Sequence, residues 1–173
     1  MTTIIAMNTL DDQAIYADSL INGSGIATPY SRKIMSLPPR CVMGSCGLAY
    51  VECMVYARLA SYQRTADLHD IFVYTHMLEP LTLKPEDTKD FEMLLLFEGT
   101  TYVMFEELVP VCIPGPWTAR GSGAHFAIGA LSAGASPLQA LRIAAQYDIG
   151  TAGPFFRMDM TGKLDCFPAT WEA

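Results

Sequence analysis

Basic residues are scarce in this sequence, and histidine is scarcer. Eleven Lys and Arg stand against eighteen Asp and Glu, for a formal charge of −7 and a pI near 4.8. Phosphates need a basic footprint, so neither a nucleic-acid partner nor an anionic-membrane partner is expected. No apolar run approaches the roughly 18 residues of a membrane-spanning helix. The start of the chain also lacks the basic segment and apolar centre of a secretory signal. None of the five cysteines (Cys41, Cys46, Cys53, Cys112, Cys166) forms a CxxC pair, and His69, His76 and His125 are scattered. Zinc is not expected. The cysteines read as reduced thiols packed as small hydrophobes in a cytoplasmic protein. What is plentiful is apolar: 51% hydrophobic residues against 17% charged, too much for a disordered chain. At 173 residues the sequence suits a single domain over 1–173 with a sizeable core.

Periodicity sets the element order. Thr2–Asn8 and Gln13–Asp18 are short apolar runs around Asp11-Asp12 and predict a hairpin, followed by a Gly- and Ser-rich loop over Asn22–Thr28. Lys33–Leu37 and Cys41–Cys46 make a second strand pair. Val51, Met54, Val55, Leu59 and Tyr62 then recur at helical spacing to about Gln63, and a second helix is expected from Asp67 to Leu78. Phe91–Phe97 and Tyr102–Phe105 flank Glu98-Gly99-Thr100-Thr101, a hairpin signature. Val109–Pro116 carries three prolines and fits only an edge strand. Gly121-Ser122-Gly123 turns into a small-residue helix to about Ala133. Ser136-Pro137 caps a last helix ending near Gly150. Phe155–Met158 and Lys163–Phe167 close as a hairpin. Strands grouped apart from helix pairs argue an α+β fold, with two sheets face to face and helices outside.

Several residues could carry chemistry, and each has a plainer role. Thr2 becomes an N-terminal nucleophile beside its own amine if Met1 is removed, though Met-Thr is a common start. Asp18, ending an apolar run, either caps a turn or holds a cation. Lys33 either starts a strand in solvent or stabilises a nearby alkoxide and depresses an amine's pKa. Gly44-Ser45-Cys46-Gly47 either relieves backbone strain or lets a substrate approach, with the Gly47 N–H free for an oxyanion. Gly121-Ser122-Gly123 is a plain turn or a placed hydroxyl. Asp148 and Thr151 are a solvated helix end or partners for an amine.

Taken in order, Thr2-Thr3-Ile4-Ile5-Ala6, Ala17-Asp18-Ser19, Arg32-Lys33-Ile34, Met43-Gly44-Ser45-Cys46-Gly47, Gly121-Ser122-Gly123 and Asp148-x-x-Thr151 resemble one family. They are similar to the proteasome β-subunit and its bacterial HslV-type relatives, which are N-terminal-nucleophile hydrolases. The resemblance implies a four-layer αββα sandwich. It also implies stacked homo-oligomeric rings of twelve or fourteen subunits that enclose the active sites, unfolded polypeptide substrates and an ATPase unfoldase as partner. Residue by residue, it makes Thr2 the nucleophile, Asp18 and Lys33 the pair that orients and polarises it, and Gly47 the oxyanion donor. Ser122, Asp148 and Thr151 become the groups around the amine. No cofactor is implied for the chemistry; a structural cation on the backbone carbonyls of Ala145, Asp148 and Thr151 is.

By the same alignment Leu20, Ser31, Met35, Ser45, Ala49 and Cys53 line the side-chain pocket, whose mostly apolar walls suggest an apolar residue before the scissile bond. Leu20, Leu48 and Ala124 depart from the residues usual in the family and place the chain among divergent relatives. Two other readings are a catalytically silent shell that keeps Met1 and a small-molecule amidase of the same superfamily.

Overall fold

The runs Ile4–Met7 and Met93–Phe97 are almost wholly apolar because each strand is buried on both faces. The computed structural model describes residues 2–20, 33–37, 41–47, 49–62 and 88–170. One antiparallel sheet contains β1 (Thr3–Asn8), β2 (Gln13–Ala17), β8 (Trp117–Gly121), β9 (Phe155–Asp159) and β10 (Leu164–Phe167), in the order β10-β9-β2-β1-β8. The other contains β3 (Ile34–Leu37), β4 (Cys41–Cys46), β5 (Glu92–Phe97), β6 (Thr100–Met104) and β7 (Pro110–Ile113), in chain order. Ile4, Ala6, Ile15 and Ala17 of the first sheet pack against Val42, Leu94, Leu96 and Val103 of the second. Alternate residues face outward. Ile5, Met7, Ala14 and Tyr16 meet helices α2 (Ala124–Ser132) and α3 (Pro137–Tyr147), while Met43, Met93 and Leu95 meet α1 (Ala49–Tyr62). These are the four αββα layers that the sequence led one to expect.

The expected loop over 22–28 and helix over 67–78 lie outside the described residues. Three elements differ from expectation. Trp117–Gly121 is a strand, although only Ala119 in it is a fully buried apolar residue; the β1 ladder, with Ile4 opposite Arg120 and Ala6 opposite Thr118, supplies what its own pattern lacks. The β5–β6 turn uses only Glu98 and Gly99, both with positive φ (47° and 76°), as a two-residue turn requires. The buried face of α1 is also rotated. Val51, Glu52, Val55 and Tyr56 are buried and Met54 is exposed.

Helix α3 begins with a complete capping box. Gln139 N–H donates to Ser136 Oγ at 3.3 Å, and Ser136 N–H donates to Gln139 Oε1 at 2.8 Å. The helix stops at Tyr147 rather than near Gly150, because Asp148 leaves helical geometry (φ −110°, ψ 114°) and turns its carboxylate back on the residues that follow.

Candidate active site

The chain start, the ends of β2 and β4, the start of β3, the β8–α2 turn and the end of α3 meet at Thr2. The Thr2 nitrogen donates to Ser122 Oγ at 3.2 Å, and Ser122 Oγ donates onward to Asp148 Oδ2 at 2.7 Å. Thr151 Oγ1 donates to the same carboxylate oxygen at 2.6 Å and lies 2.6 Å from Thr3 Oγ1. Partial burial pushes the Asp148 carboxyl up, but the hydrogen bonds from Thr151, Ser122 and the Gly150 N–H prevail and hold it below the usual carboxylate range. Gly123 makes this cluster possible. A Cβ there would overlap Thr3 Oγ1 and come within 2.8 Å of Thr151 Oγ1 and 3.0 Å of Asp148 Oδ2.

Next to this cluster along β1, Lys33 Nζ donates to Asp18 Oδ1 at 2.8 Å, with 7% and 0% of the two side chains exposed. Asp18 also accepts the N–H groups of Thr3 at 2.9 Å and Leu20 at 3.0 Å. Burial pushes its carboxyl up, and Lys33 and these N–H groups oppose that rise. The pair is therefore locked by backbone on both sides of the β1–β2 hairpin.

Gly47 follows β4 with φ +137°, a conformation L side chains rarely adopt, and a Cβ there would lie 3.0 Å from Asp90 O and Phe91 Cα. Among the described residues no acceptor takes its N–H. That leaves a donor at a fixed place for a developing oxyanion. Ser45 N–H donates to the Lys33 carbonyl at 3.0 Å, and Tyr56 Oη donates to the same carbonyl at 2.7 Å. Burial keeps the Tyr56 hydroxyl protonated well beyond its ordinary range, so it remains available to Ser45 Oγ, 2.8 Å away.

Every expected catalytic residue thus falls into this one region. The expected pocket residues are less uniform. Leu20 and Met35 are half-buried, Ser45 is buried against Tyr56, and Cys53 is exposed. The Ala49 side chain and all of Ser31 lie outside what is described.

Four polar residues that the sequence reading passed over belong to the region. Thr3 and Tyr56 have been placed above. Glu92 Oε2 accepts the Gly121 N–H at 3.2 Å and the Cys46 thiol at 3.7 Å, tying the second sheet to the turn that carries Ser122. Burial first, then Glu92 and Glu52, push the Cys46 thiol up, so it is no rival nucleophile. Glu52 is buried on α1 near Lys33 and Asp18. The available signal was an acid interrupting an otherwise apolar helix face or strand.

Among the described residues no group of three His, Cys, Asp or Glu side chains suits a metal, and no helix is long and apolar enough to cross a membrane. The carbonyls of Ala145, Asp148 and Thr151 are oxygen donors of the kind an alkali or alkaline-earth cation would take. Asp148 O spends one lone pair on the Thr151 N–H at 3.1 Å and keeps the other.

No protein-family model matches this chain. No curated protein sequence matches it either. Solved structures do match. The BPH of Thiobacillus denitrificans is similar with a TM-score of 0.68 at 17% identity, covering 99% of this chain and 100% of that one. HslV from Trypanosoma brucei gives 0.65 at 14% identity, over 96% and 99%. Anbu, the ancestral β-subunit, from Yersinia bercovieri gives 0.73 at 13% identity, over 96% and 88%.

Proposed function

Starting from a proteasome- and HslV-like fold, we propose that this chain is a threonine-type endopeptidase of a ring assembly, acting through Thr2 once Met1 is removed. One observation carries the reading: Thr2 donates into the Ser122–Asp148–Thr151 hydrogen-bond chain, while its neighbour Thr3 donates to the Asp18 carboxylate that holds the buried Lys33. A freed α-amine at Thr2 has an ordinary pKa near 7.7 and serves as base without a separate histidine. Ser122 and Asp148 hold that amine in place. The Lys33 charge favours the developing alkoxide, and Asp18 fixes the lysine.

Thr2 Oγ attacks the peptide carbonyl and passes its proton to the amine, directly or through a water. The Gly47 N–H stabilises the tetrahedral oxyanion. The C–N bond breaks as the amine returns the proton to the leaving nitrogen, leaving an ester on Thr2. Water then attacks that ester along the same proton path and frees the acid.

The reading extends to residues 1–173 as one peptidase domain in the cytoplasm, in stacked rings of twelve or fourteen copies, fed unfolded polypeptide by an ATPase unfoldase. A cation on the Ala145, Asp148 and Thr151 carbonyls would brace the helix end, and no step runs through it. The other reading, a silent shell, requires that Met1 is kept. Hydrolysis of short peptidyl amides by purified protein, lost in a Thr2→Ala variant of unchanged fold, tests the choice. Turnover that survives Thr2→Ala rejects the nucleophile. An inactive protein that retains Met1 favours the shell.

A further inference from the structure

Strand β5 alternates between two covered faces. Met93 and Leu95 meet α1, so Glu92, Leu94 and Leu96 turn toward the first sheet. Leu94 and Leu96 pack there, and packing alone asks for another apolar residue at 92. A half-buried carboxylate stands in that place, which costs solvation and needs partners. It finds them on one oxygen. Cys46, directly opposite in the β4–β5 ladder, donates its thiol to Oε2 at 3.7 Å, and the Gly121 N–H donates to the same oxygen at 3.2 Å.

Each partner is one residue away from a group the reaction uses. Cys46 precedes Gly47, whose N–H serves the oxyanion. Gly121 precedes Ser122, whose Oγ accepts the Thr2 nitrogen at 3.2 Å. Gly121 ends β8, an edge strand, so its outward N–H has no neighbouring strand to bond, and Glu92 supplies the acceptor. The Gly121 backbone also sits directly against Thr2, where a Cβ would overlap the Thr2 carbonyl oxygen. Strands β4 and β8 belong to different sheets and share no ladder. The oxyanion donor and the holder of the amine are thus built on separate layers, and their spacing depends on what crosses between those layers. The Lys33–Asp18 pair is one crossing, between the β3 start and the β2 end. Glu92 makes another, from β5 to the β8–α2 turn.

We infer that Glu92 is a positioning residue, which keeps the Gly47 N–H and the Ser122 hydroxyl in register by binding the residue before each with one carboxylate oxygen. The inference rests on the peptidase reading and goes beyond it, to how the two halves of the site are aligned. Glu92 touches no reacting atom, moves no proton and binds no substrate. Its effect falls on the transition state, because the oxyanion and the proton-carrying amine must both be met when the tetrahedral carbon forms. Loss of the tie therefore lowers kcat and spares KM. Among the described residues no donor reaches the other oxygen, Oε1. A glutamine with its carbonyl at the Oε2 position and its NH2 at the other therefore keeps both bonds.

The test compares the full chain with Glu92→Gln and Glu92→Met in hydrolysis of one short peptidyl amide, beside backbone hydrogen exchange of the segments that hold Gly47 and Gly121. Glu92→Gln is expected to keep kcat within about threefold of the parent. Glu92→Met fills the same space without an acceptor. It should fold, yet lose about 10- to 100-fold in kcat at near-constant KM, with faster exchange in both segments. Parental kcat in Glu92→Met overturns the inference, as does a loss that Glu92→Gln shares equally or a loss carried by KM. Should Glu92→Met fail to fold, Cys46→Ala against Cys46→Ser decides from the other end of the tie. The serine variant keeps a donor toward Glu92 and should turn over at least about threefold faster than the alanine variant. Equal values overturn the inference. The two readings also fail separately. Hydrolysis that Glu92→Met leaves untouched rejects Glu92 only. A parent that hydrolyses nothing rejects the peptidase, and exchange then decides whether Glu92 aligns the two turns: faster exchange of both segments in Glu92→Met upholds it, and an unchanged segment rejects it.

Discussion

The Lys33 ammonium lies 2.8 Å from Asp18 Oδ1, and the Thr3 N–H reaches the same oxygen at 2.9 Å. Thr3 and Lys33 therefore share one buried acceptor, so the backbone after Thr2 and the lysine cannot shift independently. Read as a solvated strand start, Lys33 would be dispensable to the fold. Its burial makes it part of the fold's electrostatic balance.

Lys33→Ala is accordingly expected to abolish most peptide hydrolysis and also to lower stability by about 3–5 kcal/mol, because it strands Asp18 without its counter-ion. Chemical denaturation beside the hydrolysis assay checks both. Lost activity at unchanged stability would mean that the pair is not buried as described.

Gly47→Ala tests the oxyanion turn. At φ +137°, with Asp90 O and Phe91 Cα 3.0 Å from the new methyl, the turn must move and carry its N–H with it. Turnover should fall by about 10²–10³, while stability falls by about 1 kcal/mol or more. Near-normal turnover in a folded variant would remove Gly47 from the mechanism.

Ser122→Ala removes the hydroxyl between Thr2 and Asp148 from an exposed position. Hydrolysis should drop about 10- to 100-fold with the melting temperature nearly unchanged. Asp148 also predicts a pH effect. Its folded value lies below the ordinary carboxylate value, so the stability it lends is present above that ordinary value. That contribution is lost as pH falls through the folded value. Ser122→Ala removes one donor to the carboxylate and should make this acid loss begin at higher pH.

Glu52 predicts the opposite slope. Its folded value of about 7 lies above the ordinary 4.5, so between those values the folded state keeps a proton the unfolded chain has released. Its contribution to stability therefore falls as pH rises from 4.5 to 7. Glu52→Gln should be more stable than the parent by on the order of 3 kcal/mol above that window, and little different below it. Urea midpoints at several pH values measure this; a pH-independent difference would contradict it.

Much of this was legible in the sequence because strands buried on both faces are written as apolar runs, and the capped α3 announces itself through Ser136-Pro137. That Thr2, Asp18, Lys33, Ser122, Asp148 and Thr151 fall into one region was expected from their order and spacing, no single residue being specific. What escaped depended on contacts made at long range. Trp117–Gly121 becomes a strand only because β1 offers a ladder. Glu92 matters only because a turn of the other sheet comes to it. Glu52 and Tyr56 came inward when α1 settled on Val51 and Val55 rather than Met54.

The central claim is that Thr2 works as a free N-terminal nucleophile. The direct measurement is the intact mass of the protein purified from the cells that make it, taken beside peptide hydrolysis by the same sample. The account predicts a mass lacking Met1 and hydrolysis that Thr2→Ala eliminates. A mass retaining Met1, on protein that hydrolyses no peptide, would contradict it.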